Sequence, residues 1–194
     1  MPELFSPLPD KKYDVIYADP PWRYKSDDRG DRKNGKLFGD KKSFRIDGNH
    51  YPTMKLADLK QLDVPQISAD NCVLFMWSTS PKLPECLELG ESWGFVYKTL
   101  AFIWHKQMPN LGAYTMSECE VVAVFKKGNI PSPRGARNIR QFLSERRTAH
   151  SVKPQEIRQR IEAMFPTQKK IELFARAEYD GWDVYGNEVQ DGSK

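Results

Sequence analysis

Four consecutive residues, Asp19-Pro20-Pro21-Trp22, bring a carboxylate, a rigid turn and an indole together directly after a short, largely apolar strand from Tyr13 to Ala18. The two prolines end that strand, because proline has no N–H to give to a sheet ladder. In an open α/β sheet the ligand crevice lies beyond the carboxyl ends of the strands, so the tetrad falls where a site would form. Asp19 and the carbonyl of Pro20 can accept the two hydrogens of one exocyclic amine, and Trp22 can stack on the flat ring that carries it. Such an amine is a poor nucleophile while its lone pair is delocalised into the ring. Two well-placed acceptors favour the pyramidal nitrogen that can attack a methyl group. The plain alternative is a strand ending in a stiff Pro-Pro turn, and spacing alone leaves both open.

Other chemistry finds little support. There is no Gly-x-Gly-x-x-Gly and no Walker-type lysine loop, which leaves the nicotinamide and nucleoside-triphosphate readings without a motif. His50, His105 and His150 do not fall at metal-ligand spacing, and Cys72, Cys86 and Cys119 form no Cys-x-x-Cys. No metal site and no disulfide framework is expected, and Cys86 and Cys119 read as small core residues. No Ser/His/Asp or Cys/His arrangement stands out. Lys153 by itself reads as a helix-entry lysine. Trp93, Phe95, Phe102 and Trp104 read as core, whereas Trp77, at a strand end, is placed to line a pocket.

The elements that must position these residues alternate in type. Strands are expected at 13–18, 72–77, 95–104, 120–125, 137–143, 170–174 and 182–185. Helices are expected at 53–62 with Thr53 as cap, at 81–93 with Gly94 ending it, and at 154–165 with Ile157, Ile161 and Met164/Phe165 as the apolar stripe. That alternation argues for an α/β sheet with helices on both faces. At 194 residues, 39% of them hydrophobic, the chain suits one domain with a buried core. The longest apolar run, Cys72 to Trp77, is too short to span a membrane, and the N-terminus carries no basic-then-apolar leader, so a cytoplasmic location is expected. The net charge is only +4, yet Arg23 to His50 holds nine Lys/Arg and Arg134 to Lys153 holds six against one acid. Two basic segments on a balanced domain suit a polyanionic partner such as nucleic acid, although a solvated charged face is the plainer reading of either alone. Residues 23–50 read as a long loop, and the tail from Gln190 as frayed.

Ala18-Asp-Pro-Pro-Trp22 resembles the catalytic motif of methyltransferases that act on adenine N6. His50-Tyr51-Pro-Thr-Met54, Leu74-Phe-Met-Trp77, Ile103-Trp-His-Lys106, Glu118-Cys-Glu120 to Asn129, His150-Ser-Val-Lys-Pro-Gln-Glu156, Lys170 to Arg176 and Gly186-Asn-Glu188 follow in the order of the MT-A-seventy family of S-adenosylmethionine-dependent adenine-N6 methyltransferases. The chain resembles its prokaryotic or phage-type members from about Tyr13 to Glu188. The resemblance implies a Rossmann-like methyltransferase fold with a mostly parallel sheet, in permuted order, the catalytic motif preceding the cofactor-binding segments, within a single domain over 1–194. It implies S-adenosylmethionine as cofactor; Asp19, Pro20, Pro21 and Trp22 as catalytic residues; Tyr51, Trp77 and Glu118 near the substrate; and Asp19, Lys153, Arg176, Asn187 and Glu188 near the cofactor. Ala177-Glu178-Tyr179 departs from the eukaryotic Pro-His-Asn, and Glu188 stands where Gln is common, though a carboxylate can accept from both ribose hydroxyls. The implied activity is methyl transfer to N6 of adenine in DNA, the base flipped out or single-stranded. An RNA adenine-N6 enzyme and an inactive nucleic-acid-binding partner are the alternatives. Pairing with itself or with a different subunit is compatible with the family.

Overall fold

The computed structural model of the chain describes residues 7–24, 53–111, 114–148 and 152–186. The long basic loop, Tyr51, His50, His150, Asn187, Glu188 and the C-terminal tail lie outside the described residues.

Seven strands form one mixed sheet: β1 Tyr13–Ala18, β2 Ser68–Thr79, β3 Val96–Asn110, β4 Ser117–Lys127, β5 Phe142–Ser144, β6 Lys170–Leu173 and β7 Asp183–Tyr185, in the order β5-β3-β4-β2-β1-β6-β7. Pairings β1/β2, β1/β6, β6/β7 and β3/β5 are parallel, and β2/β4 and β3/β4 are antiparallel. The α/β sheet expected from the alternation is present, and most of its pairings are parallel, as the resemblance implies. β1 lies inside the sheet, between β2 and β6, and is covered on both sides: its residues from Val15 to Ala18 are all buried.

The helices are α1 Leu56–Leu59, α2 Val64–Ile67, α3 Leu83–Ser92 and α4 Gln155–Met164. Alternate residues of the central strands feed two cores. Ile16, Leu74, Met76 and Phe125 pack with Leu59 of α1 and with Cys86 and Leu89 of α3. Tyr17, Phe75, Trp77 and Trp104 pack with Ile157 and Ile161 of α4 and with Phe165. Helices therefore cover both faces, and α4 presents the stripe read from its periodicity. α3 ends as expected at Gly94, whose φ of +81° is one that only glycine adopts freely, with its N–H donating to the Glu91 carbonyl.

Two expected elements are shorter than the sequence suggested. Helix 53–62 begins only at Leu56, because Met54 is drawn into a bridge with Trp22: its N–H donates to the Pro21 carbonyl at 2.8 Å and its carbonyl accepts from Arg23 at 3.2 Å. Tertiary pairing overrides local helix propensity there. Strand 137–143 is reduced to Phe142–Ser144; beside it the Arg160 guanidinium donates to the carbonyls of Arg140 and Phe142.

Candidate active site

The carboxyl ends of β1, β2 and β6 share one edge, and β4, antiparallel to β2, enters the sheet from it. Asp19 follows β1, Thr79 ends β2 opposite Glu120 of β4, Trp104 of β3 pairs with Glu120, and Arg176 lies just past β6. Lys153 precedes α4. These side chains line a cavity of about 300 Å³ together with the whole Asp-Pro-Pro-Trp tetrad, Tyr24, Thr53, Trp77 and Arg147.

Its charged centre is a chain of four groups. Lys153 Nζ lies 3.2 Å from Asp19 Oδ1 and 2.9 Å from Glu120 Oε2, and Lys106 Nζ lies 3.3 Å from Glu120 Oε1. Burial pushes the Asp19 carboxyl up, the Lys153 ammonium pulls it down, and the like charge of Glu120 adds to the rise; the net shift is upward. Burial acts the same way on Glu120, but two ammonium groups outweigh it and hold this carboxyl below its ordinary value. Burial disfavours the charge on Lys153, yet the Asp19 and Glu120 carboxylates raise its affinity for the proton above that of an ordinary lysine. The cluster thus holds a cation between two carboxylates whose proton affinities are pushed apart.

Aromatic side chains wall it. Trp22 is only 7% exposed, and its indole N–H donates to the Trp77 carbonyl at 3.1 Å, so the ring is fixed rather than free to swing. Trp77 is buried and donates its own N–H to the Tyr17 hydroxyl. Trp104 meets it edge-on at 6.0 Å, and Lys153 Nζ stands 5.1 Å from its ring centroid. The Tyr24 hydroxyl shares a 2.7 Å hydrogen bond with Thr79. The Pro20 carbonyl accepts from the Trp22 N–H at 2.8 Å, which leaves one of its two lone pairs for a ligand.

The rim beyond β6 is tightly set. Phe174 takes a φ of +62°, costly for a residue with a Cβ, and turns the chain toward Arg176. A Cβ at Gly186 would stand 2.2 Å from the Ala175 carbonyl oxygen, and Ala175 N–H donates to the Tyr185 carbonyl at 3.1 Å. Only glycine permits this approach, which holds the segment carrying Arg176 against the end of β7.

Of the residues expected at the site, Asp19, Pro20, Pro21, Trp22, Trp77, Lys153 and Arg176 are brought together here. Tyr51, Asn187 and Glu188 lie outside the described residues. Glu118 is placed elsewhere: its carboxylate is 3.3 Å from His105 Nε2, and it does not line the cavity. Glu120 lines it instead. The two acids sit two residues apart on one strand, so the sequence offers little to separate them; β2 stops at Thr79, opposite Glu120, and Glu118 lies past that end. Tyr24, Thr53, Thr79 and Arg147 were not foreseen either. Cys86 reads as expected: burial pushes its thiol up to about 12.

Comparison with known proteins bears on this geometry. The MT-A70 family model matches residues 13–188, a span that holds the tetrad and every described cavity residue. The chain is 51% identical over 200 residues to the "Type II methyltransferase M.MunI" of Mycoplasma sp., covering 97% of this chain and 83% of that protein. It is 26% identical to the human "N(6)-adenine-specific methyltransferase METTL4" over 92% of this chain and 38% of that protein. A plant relative, the "N(6)-adenosine-methyltransferase MT-A70-like" of Arabidopsis thaliana, is 32% identical over 72% of this chain and 21% of its own length. The chain thus spans less than half of the human and plant relatives. With the matched span covering nearly all of the sheet and the cavity, the chain belongs to the MT-A70 family of methyltransferases.

Proposed function

We propose that the protein transfers a methyl group from S-adenosylmethionine to N6 of adenine in DNA, acting on a base that is flipped out or single-stranded. The observation that carries this reading is the Asp19–Lys153–Glu120 cluster, set against fixed indoles in a cavity of about 300 Å³. The donor set suits the cofactor: Lys153 is a cation for its methionine or ribose region, Asp19 is an anion for its positive end, and Arg176, Asn187 and Glu188 keep the ribose-holding role that the family resemblance implies. When bound, the cofactor supplies a methyl group already activated by the sulfonium charge, so the protein's work is positioning and electrostatics.

Lys153 engages Asp19 Oδ1, which fixes the carboxylate that is to accept from the amine. Asp19 and the remaining lone pair of Pro20 accept the two N6 hydrogens, turn the nitrogen lone pair toward the methyl group and stabilise the positive charge that grows on N6. The proton then leaves to Asp19 or to water. Trp22 and Tyr51 hold the ring of the base, and the buried Trp77 and Trp104 keep water from the cation between the two carboxylates. In a duplex, N6 is engaged in base pairing, so the base must leave the stack first.

The reading takes residues 1–194 as one methyltransferase domain of permuted order in the cytoplasm, gripping phosphates through its basic segments, alone, as a homodimer or with a different subunit. RNA is the second candidate substrate, favoured by the word adenosine, a ribonucleoside, in the name of the plant relative. An inactive nucleic-acid-binding partner ranks third, since the catalytic tetrad is intact. Incubation of matched DNA and RNA oligonucleotides with labelled S-adenosylmethionine separates the three: the proposal expects label in DNA adenine, label in RNA alone supports the second, and cofactor binding or nucleic-acid binding without transfer supports the third.

A further inference from the structure

The β3–β4 pair continues past the sheet. β2 ends at Thr79, opposite Glu120, yet β3 runs to Asn110, β4 begins at Ser117, and these two residues still pair. The two strands therefore leave the sheet as an arm on the edge that holds the cavity. The end of the arm is apolar and uncovered: Tyr114 is 101% exposed, Leu111 92% and Met116 52%. Tyr114 is six residues from Glu120, so at ~3.3 Å per residue it reaches at most ~20 Å beyond the cavity rim. The root of the arm carries two arginines beside Glu118 and Glu145. Glu145 N–H donates to the His105 carbonyl and Arg147 N–H to the Lys106 carbonyl, which lays Arg146 and Arg147 along β3 where it leaves the sheet, and Arg147 lines the cavity itself.

An aromatic tip above a pair of arginines matches a ligand with an anionic exterior and a stacked apolar interior. We propose that the arm is a wedge for duplex nucleic acid: Tyr114, backed by Leu111 and Met116, enters the base stack beside the target adenine and takes the space that the extruded base leaves. Arg146 and Arg147 hold the flanking phosphates. The inference rests on the reading of the protein as a DNA adenine-N6 methyltransferase. It adds how a paired base is made available.

The test compares paired with unpaired targets. The methylated position is first mapped on plasmid DNA with the wild-type protein; a protein that methylates no plasmid adenine overturns the underlying reading, independently of the wedge. Duplex oligonucleotides are then made with the target adenine opposite thymine or opposite an abasic site. Tyr114→Ala/Leu111→Ala, at two exposed positions, should lose about tenfold or more in kcat/KM on the paired target and stay within about twofold of wild type on the unpaired one. Tyr114→Trp should retain activity on both. Equal loss on the two duplexes, or no loss on either, overturns the wedge. So does a shift of the variant from dimer to monomer in sedimentation, which would make the tip a contact between two copies of the chain.

Discussion

Glu120 holds Lys153 by a 2.9 Å hydrogen bond while Lys153 stands 3.2 Å from Asp19, so one ammonium is shared by a carboxylate held below its ordinary proton affinity and one raised above it. Asp19 must be ionised to accept from an amine. Its activity is therefore present at high pH and lost as pH falls through its raised value, which sets an acid limb above the ordinary aspartate value of 3.8. Lys153→Met removes the charge that pulls Asp19 down, so the acid limb should move up in pH. Glu120→Gln removes the like charge that pushes it up, so the limb should move down. Profiles of kcat/KM against pH for both variants check this, and a shift of both in the same direction contradicts it.

Asp19→Ala removes the acceptor beside N6 while leaving the cofactor's other contacts in place. The loss in kcat should be about 100-fold or more, in the range of a single electrostatic group at a reaction centre. Cofactor affinity, read by calorimetric titration, should stay within about threefold. Equal losses in the two would make Asp19 a cofactor-binding residue first.

Much of this site was legible before any coordinate. The tetrad announced itself because proline ends strands and strand ends carry ligands in α/β sheets, and the unbroken apolarity of Cys72 to Trp77 marked the buried strand β2 at the middle of the sheet. The stripe of α4 was readable from its period. What was not readable depends on pairing between distant segments. That Met54 bridges Trp22 shortens α1, and that β2 stops opposite Glu120 brings this acid into the cavity while Glu118 stays at His105. Basic segment 134–153 likewise looked continuous in the sequence. β5 runs parallel to β3 along the sheet edge, so Arg147 and Lys153, beyond it, line the cavity, whereas Arg134 packs over the Phe165 ring at 4.8 Å, at the far end of α4.

Arg158 donates twice to Glu172 Oε2, at 2.9 and 2.6 Å, in the core beneath the site, and its guanidinium also lies 3.3 Å from the Tyr179 ring centroid. Burial pushes the Glu172 carboxyl up, against the pull of Arg158, so the acid depends on its partner. Arg158→Ala should cost about 3–5 kcal/mol in urea unfolding because it strands a buried carboxylate. Arg158→Met with Glu172→Leu should recover most of that. A double variant no more stable than the single one would show that the loss lies in packing against Tyr179.

Arg147 lines the cavity, Arg146 precedes it at the root of the β3–β4 arm, and both suit phosphate contacts. Replacing both by alanine should reduce the slope of log K against log salt for DNA binding by about 2, with affinity falling alike on all sequences. An unchanged slope in fluorescence anisotropy would take them out of the phosphate grip.

The central claim is that Asp19 directs a methyl group onto N6 of adenine. It is tested most directly by incubating unmethylated genomic DNA with labelled S-adenosylmethionine and identifying the modified nucleoside by mass spectrometry. N6-methyldeoxyadenosine, formed by the wild-type protein and absent with Asp19→Ala, is the result expected. Label on cytosine, or equal N6 methylation by the two proteins, would contradict it.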